Sequence, residues 1–183
     1  MSRPRCTGTG TQTKELWGIY LKLLMYLSSP AGNIDAATMS AWIPSPEELA
    51  ARDREYIPHA FCLFNVLALG ARAYERLGRD DDAAAAAQFG IEQHKKKVVI
   101  ADCQCVLGRV LARRGDLTGA EAAFRAAAEM GRAAQMPLVE LIAGRELKQY
   151  VPAVSADGDA MIDAACSAMG KERAMFTGIL AEQ

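Results

Sequence analysis

Three arginines recur at nearly equal intervals along this sequence of 183 residues. Arg72, Arg109 and Arg145 are separated by 37 and 36 residues. The arginine side chain holds carboxylates through bidentate, charge-assisted hydrogen bonds in a fixed geometry. A surface on which these three side chains line up would therefore bind an acidic ligand.

A second basic residue follows each of these arginines by three or four positions. Within a helix, this spacing places like charges on one face, which costs roughly 0.2–0.5 kcal/mol per pair. Stability alone does not select such pairs, so they indicate a binding groove. The candidate groove residues are Arg72, Arg76, Arg109, Arg113, Arg145 and Lys148. The alternative is that they are ordinary solvated side chains bonded to acids of adjacent helices.

No group of residues in the sequence forms a catalytic or metal site. The two histidines, His59 and His94, are not accompanied by acids at ligand spacing, and a metal ion needs several convergent donors. No glycine-rich phosphate loop follows a strand, and no nucleophile motif occurs. We therefore expect a protein that is not an enzyme and that uses no cofactor or metal.

Charge, hydropathy and cysteine content limit the classes of partner and the cellular compartment that are expected. The formal net charge of −1 gives no bulk attraction to nucleic acid or to anionic lipid. The apolar stretch from Leu16 to Leu27 is interrupted by Lys22 and is too short to span a bilayer. The five cysteines are odd in number and form no framework, which indicates reduced thiols in a cytoplasmic protein.

The composition predicts an all-α fold. Alanine dominates the apolar half of the sequence, and it is the best helix former. Its runs, such as residues 83–87 and 126–128, allow helices to approach closely. Aromatic and β-branched residues, which strands prefer, are scarce.

Caps and charges predict where individual helices begin and end. Ser45 with Glu48, and Thr118 with Glu121, have the spacing of capping boxes. The acids of residues 80–82 and the lysines of residues 95–97 are predicted to lie at the two ends of one helix, where they suit its dipole. Further helices are predicted at about 59–77, 98–114, 117–134, 137–150 and 159–169.

Small and large residues repeat in step with the arginines. The small residues are Ala71, Gly108 and Gly144; the large ones, three positions later, are Tyr74, Leu111 and Leu147; and turn glycines follow at Gly78 and Gly115. Ala120, Phe124 and Ala127 add a small–large–small pattern in the following helix. Over roughly residues 60–170 this pattern resembles the tetratricopeptide repeat family, in which small residues let helices touch and large ones fill the neighbouring hollows.

The resemblance implies a short tetratricopeptide-like α-hairpin solenoid of about three hairpins. In such arrays, the position of the three recurring arginines faces a concave groove that holds ligands. Relatives that clamp heat-shock chaperone tails use Lys and Asn at particular groove positions, where this chain has Ala68 and Cys105. That ligand is therefore not expected. A helical bundle that only mimics the repeat pattern is the alternative.

The predicted organisation has three parts. Residues 1–44 form a partly disordered N-terminal extension with one helix at about 13–28. Residues 45–170 form the tetratricopeptide-like helical repeats, and residues 171–183 form a C-terminal capping helix.

The expected function is protein–protein interaction. The chain is interpreted as an adaptor or scaffold module that binds another protein, through an acidic or extended peptide, in its concave groove. Two alternatives remain: a nucleic-acid-binding helical repeat, which the absence of aromatic residues beside the arginines disfavours, and a regulatory fragment of a larger multidomain protein. We also expect Arg109 to be a surface residue whose replacement by glutamate weakens binding without affecting folding.

Overall fold

The computed structural model describes residues 10–29, 34–56 and 66–181, and no strand occurs among them. The described helices are α1 (Gly10–Ser28), α2 (Ala36–Trp42), α3 (Pro46–Tyr56), α4 (Val66–Arg76), α5 (Asp80–Gln93), α6 (Lys97–Arg113), α7 (Leu117–Ala133), α8 (Pro137–Tyr150), α9 (Ser155–Met169) and α10 (Thr177–Ala181). Short 3-10 turns occur at Pro152–Val154 and Arg173–Phe176. The all-α prediction is confirmed.

The N-terminal part differs from the prediction at its helices. Helix α1 begins at Gly10, three residues before the predicted start. A second helix, α2, follows because the side chain of Asp35 accepts a hydrogen bond from the backbone N–H of Thr38 at 2.8 Å and so caps its first turn. Disorder is predicted for residues 1–12, but residues 10–12 belong to α1, so the prediction is wrong for these three. Residues 1–9 and the predicted helix start at His59 lie outside the described residues.

The capping box predicted at the start of α3 is confirmed. The backbone N–H of Glu48 donates to the hydroxyl of Ser45 at 3.2 Å, and the backbone N–H of Ser45 donates to the Glu48 carboxylate at 3.3 Å. Two N–H groups that have no partner within the helix are therefore satisfied by side chains.

The capping box predicted at Thr118 and Glu121 is wrong. The side chain of Asp116 accepts a hydrogen bond from the N–H of Gly119 at 2.8 Å and caps α7. Helix α7 therefore begins two residues earlier than a Thr118 cap would allow. Gly115, in the left-handed conformation with φ of +84°, ends the preceding turn and places Asp116 at the cap.

The lysines of residues 95–97 do not end a helix, contrary to the prediction. Helix α5 ends at Gln93, and Lys97 is already the first residue of α6. The chain leaves the helical conformation at His94, where ψ is 145° and where the imidazole is buried beside Asp53. These lysines therefore lie at the positive end of the α6 dipole, where cations are not stabilised.

The second helix of the last hairpin also begins earlier than predicted. Pro152 opens a 3-10 turn that runs directly into α9 at Ser155, four residues before the predicted start at Asp159. Proline suits the start of a helical turn because its ring fixes φ and its missing N–H would have no partner there.

Each helix from α4 to α8 packs against the next one along the chain, so the consecutive packing extends to α9. The connections are short, which makes neighbouring helices antiparallel. Contacts also join α4 to α6 and α6 to α8, so these three helices lie side by side. Helix α1 packs on α4, and α3 packs on both α4 and α5. The three recurring arginines therefore lie on three adjacent helices.

Gly108 shows why a small residue is needed where α6 meets α7. A Cβ atom at this position would lie 2.5 Å from the ring of Phe124, which is fully buried. Real Cβ contacts are not this short, so the ring would have to move within a closely packed interior.

Replacement of Gly108 by leucine is expected to destabilise the chain by at least about 1–3 kcal/mol, the usual cost of overpacking a core. Urea unfolding followed by circular dichroism measures the change. Gly18, near which no atom would meet an added Cβ, provides the matched control, and its replacement by alanine should not destabilise. Equal stability of the Gly108 variant and the parent would contradict the close contact with Phe124.

Candidate functional site

Four of the predicted arginines surround one open hollow of about 280 Å³ on α4, α6 and α8. They are Arg72, Arg76, Arg109 and Arg145. The remaining lining residues are Leu27, Glu75, Glu146, Gln149 and Tyr150. We call this site the arginine hollow. The side chains converge because α4, α6 and α8 lie side by side.

The other two predicted groove residues do not line the arginine hollow. Arg113 reaches Asp80 at 2.7 Å and Glu75 at 2.9 Å. Lys148 points to α9, where its ammonium group donates to Asp159 at 2.9 Å. These two residues therefore join adjacent helices.

Arg109 lies at the centre of an ion-pair network that lines the hollow. Its guanidinium group donates two hydrogen bonds to Glu75, at 2.8 and 2.6 Å, and lies 3.3 Å from the carboxylate of Glu146. Its side chain is only 14% exposed. The expectation that Arg109 is a surface residue is therefore wrong, because acids of two adjacent helices bury it between them.

The arginines hold the Glu75 carboxyl in its ionised form. Burial by itself raises the pKa of Glu75, but the hydrogen bonds and charges of Arg109 and Arg113 outweigh it, and the net pKa lies below its usual range. The carboxylate is thus more stable in the folded chain than in the unfolded chain.

The free energy of unfolding is expected to fall as the pH drops below about 4.3, the usual pKa of glutamate in an unfolded chain. Because the folded pKa is lower, this contribution is complete above that value and is lost as the pH falls through the folded pKa. Urea unfolding from neutral to acid pH measures it. In Glu75→Gln the pH dependence should be weaker, and an identical dependence in both proteins would contradict the assignment.

Arg76 forms the side of the arginine hollow next to α1. Its guanidinium group donates to the backbone carbonyls of Tyr26, at 2.6 Å, and Ser29, at 2.9 Å. It also lies 4.8 Å from the centre of the Tyr26 ring, a cation–π distance. Arg76 therefore attaches the carboxyl-terminal end of α1 to α4.

Arg145 forms the opposite side of the hollow, next to α10. One of its guanidinium nitrogens donates to the backbone carbonyl of Ile179 at 2.7 Å, and another donates to Glu146. Since Ile179 belongs to the last turn of α10, Arg145 attaches this short helix to α8. The C-terminal segment therefore lies beside the hollow as well as against α9.

Arg72 is the most available guanidinium group of the hollow. It pairs with Asp102 at 3.8 Å, which is too long for a hydrogen bond, and its side chain is 48% exposed. Arg109 and Arg145 are only 14% and 16% exposed. Arg76 is also exposed, but backbone carbonyls hold it at 2.6 and 2.9 Å, so Arg72 has the weaker contact of the two and is the one a ligand can engage most readily.

The walls of the hollow are partly apolar. Leu27 and Tyr150 contribute apolar surface, and Gln149 contributes an exposed amide. Burial raises the pKa of Tyr150, so its hydroxyl group remains protonated at neutral pH and can donate a hydrogen bond. With four arginines and two glutamates around it, the hollow has a net positive formal charge and fits an anionic ligand that also has an apolar part.

A buried histidine–aspartate pair lies outside the hollow. His94 Nε2 is 2.9 Å from Asp53 Oδ2, and both side chains are 5% exposed. The contact is close but not aligned as a hydrogen bond, so it is a charge–charge or dipole contact between α3 and the end of α5. No sequence pattern indicates this pair, because 41 residues separate the partners.

The described cysteines are structural. Cys103, Cys105 and Cys166 are buried free thiols. Burial raises the pKa of Cys105 to about 12, so its thiol is protonated at neutral pH and is a poor nucleophile. Within the described ranges, no group of three or more His, Cys, Asp or Glu side chains is placed to hold a metal ion.

Comparison with protein-family models, with curated proteins and with solved structures gave no match for this chain. Among the helices of the described residues, none has the length and apolar character needed to cross a membrane.

Proposed function

We propose that helices α4–α9 form a tetratricopeptide-like array that binds an acidic segment of a partner protein at the arginine hollow. The observation that supports this most is the excess of arginine over glutamate around an open hollow, with Arg72 half exposed. The consecutive packing of the helices and the close contact at Gly108 are what a hairpin array of this type requires.

Arg72 is the residue proposed to hold the ligand carboxylate. The other three arginines, Arg76, Arg109 and Arg145, already donate to backbone carbonyls or acids of this chain. Their main role is therefore to hold the shape of the hollow and to make its electrostatic potential more positive. Hydrogen bonds in which both groups are charged are the strongest available at such a site.

Binding of a short fluorescent polyglutamate peptide, with polyglutamine as the neutral probe, tests the proposal by fluorescence anisotropy. Arg72→Glu should weaken polyglutamate binding by about tenfold or more, since a charged hydrogen bond contributes about 1.5–3 kcal/mol. Arg114→Glu makes the same charge change at an exposed residue away from the hollow and is the matched control.

The proposal would be contradicted by equal polyglutamate affinity of the two variants. Tighter binding of single-stranded RNA than of polyglutamate, with a steep salt dependence, would favour the nucleic-acid alternative instead.

A further inference from the structure

Two arginines of the hollow already bind the carboxyl-terminal ends of helices. Arg76 donates to the carbonyls of Tyr26 and Ser29 at the end of α1, and Arg145 donates to the carbonyl of Ile179 in the last turn of α10. The last four carbonyl groups of a helix have no N–H partner within the helix, so they are available as acceptors. The two helix ends lie on opposite sides of the same hollow.

Arg72 lies beside these arginines in the hollow, but its ion-pair partner is the carboxylate of Asp102 and not the end of a helix. It precedes Arg76 by four residues on α4, so the two guanidinium groups leave the same face of that helix. Its contact with Asp102 is long, and about half of its side chain is exposed. The hollow thus presents one further guanidinium group of the same type in addition to the two that hold helix ends.

We propose that the acidic segment bound at the arginine hollow is the carboxyl-terminal turn of a partner α-helix, a proposal that rests on the proposed function. The carboxyl end of a helix has a partial negative charge of about one half, and acidic side chains in its last turn add to it. Both would face a hollow in which arginines outnumber glutamates.

The size of the hollow sets how the partner helix docks. A volume of about 280 Å³ cannot enclose a helix of the usual diameter of about 10–12 Å along its length. It can receive the final residues, with Arg72 donating to the terminal carbonyls or carboxylate. Leu27 and Tyr150 would contact the apolar atoms of that last turn.

Three synthetic peptides of equal composition test this proposal. The first is an alanine-rich helix with glutamates in its last turn, the second has the same glutamates in its first turn, and the third contains scattered glutamates and is kept extended by D-residues. Anisotropy with the full chain should show the first peptide binding about tenfold tighter than the other two.

Two substitutions test whether the preference for the first peptide depends on Arg72. Arg72→Ala should abolish it, and Arg72→Lys should reduce it because the ammonium group lacks the planar fork of arginine. Arg114→Ala should leave it unchanged. Circular dichroism of the free peptides and of each variant establishes that helicity and folding are as designed.

The possible failures are distinguishable. Equal affinity for the three peptides, lost in Arg72→Ala, would overturn the helix-end preference and leave the acidic-segment function standing. A preference that survives in Arg72→Ala would overturn the assignment to this hollow. Absence of binding to all three would overturn the proposed function and the helix-end preference together.

Discussion

Arg109→Glu is expected to unfold the protein, or to lower its melting temperature sharply, at neutral pH. The substitution removes the cation between Glu75 and Glu146 and places a third carboxylate beside them. Removal of one partner from a buried ion pair costs about 3–5 kcal/mol, and the new repulsion adds to that cost. Since domains are stable by only about 5–15 kcal/mol, the loss is large. Thermal and urea unfolding followed by circular dichroism measure it.

Arg114→Glu is the control for this experiment, because it makes the same change of charge at the residue that directly follows α6. Its partner, Asp81, is fully exposed, and exposed ion pairs contribute little. We expect the control to remain within about 0.5 kcal/mol of the parent. If Arg109→Glu unfolded at the same urea concentration as Arg114→Glu, the buried network would have no role in stability.

His94→Ala is expected to destabilise the chain by about 1–3 kcal/mol, the range for leaving a buried polar group without its partner. The variant keeps the buried Asp53 side chain between α3 and α5 and removes the group beside it. The urea midpoint should fall, whereas the dependence on urea concentration should change little.

A double-mutant cycle separates the pair from the packing of its members. Asp53→Ala combined with His94→Ala removes both polar groups, so the double variant should lose less stability than the sum of the two single variants. Additive losses would show that the two side chains do not interact. Replacement of both by leucine should recover part of the stability, because apolar groups of suitable shape can replace both partners of a buried polar contact at little cost.

The all-α character of the chain could be predicted because its causes are local. An alanine-rich composition favours helices whatever their partners, and the Ser45–Glu48 capping box acts within four residues. The predicted helix ends were wrong where another interaction competed with the local sequence pattern. Asp116 caps α7 in place of Thr118, and burial of His94 ends α5 before the lysines.

The arginine hollow was predictable only in part. The intervals of 37 and 36 residues gave the phase of Arg72, Arg109 and Arg145, and the three side chains do lie around one hollow. The burial of Arg109 could not be predicted in the same way. It depends on Glu75 and Glu146, which lie on the neighbouring helices, and no sequence period identifies which acid meets this arginine.

The attachment of the two terminal helices was not predictable at all. Arg76 and Arg145 bind backbone carbonyls, which every residue possesses, so no residue type marks the acceptors at Tyr26 or Ile179. The contact of His94 with Asp53 was not predictable either, for a different reason. It joins side chains of α3 and of the end of α5 that are far apart in sequence, and only the folded chain brings them together.

The ion pairs on both sides of the hairpin α6–α7 determine where the packed helices can separate. Arg109, Arg113 and Arg114 of this hairpin bind acids of α4 and α5, and Arg125 binds Asp157 of α9. Separation of the central hairpin therefore breaks ion pairs in two directions, towards α4 and α5 and towards α9. Local opening should begin outside this hairpin, so amide hydrogens of α6 and α7 should exchange with solvent more slowly than those of α1 and α10.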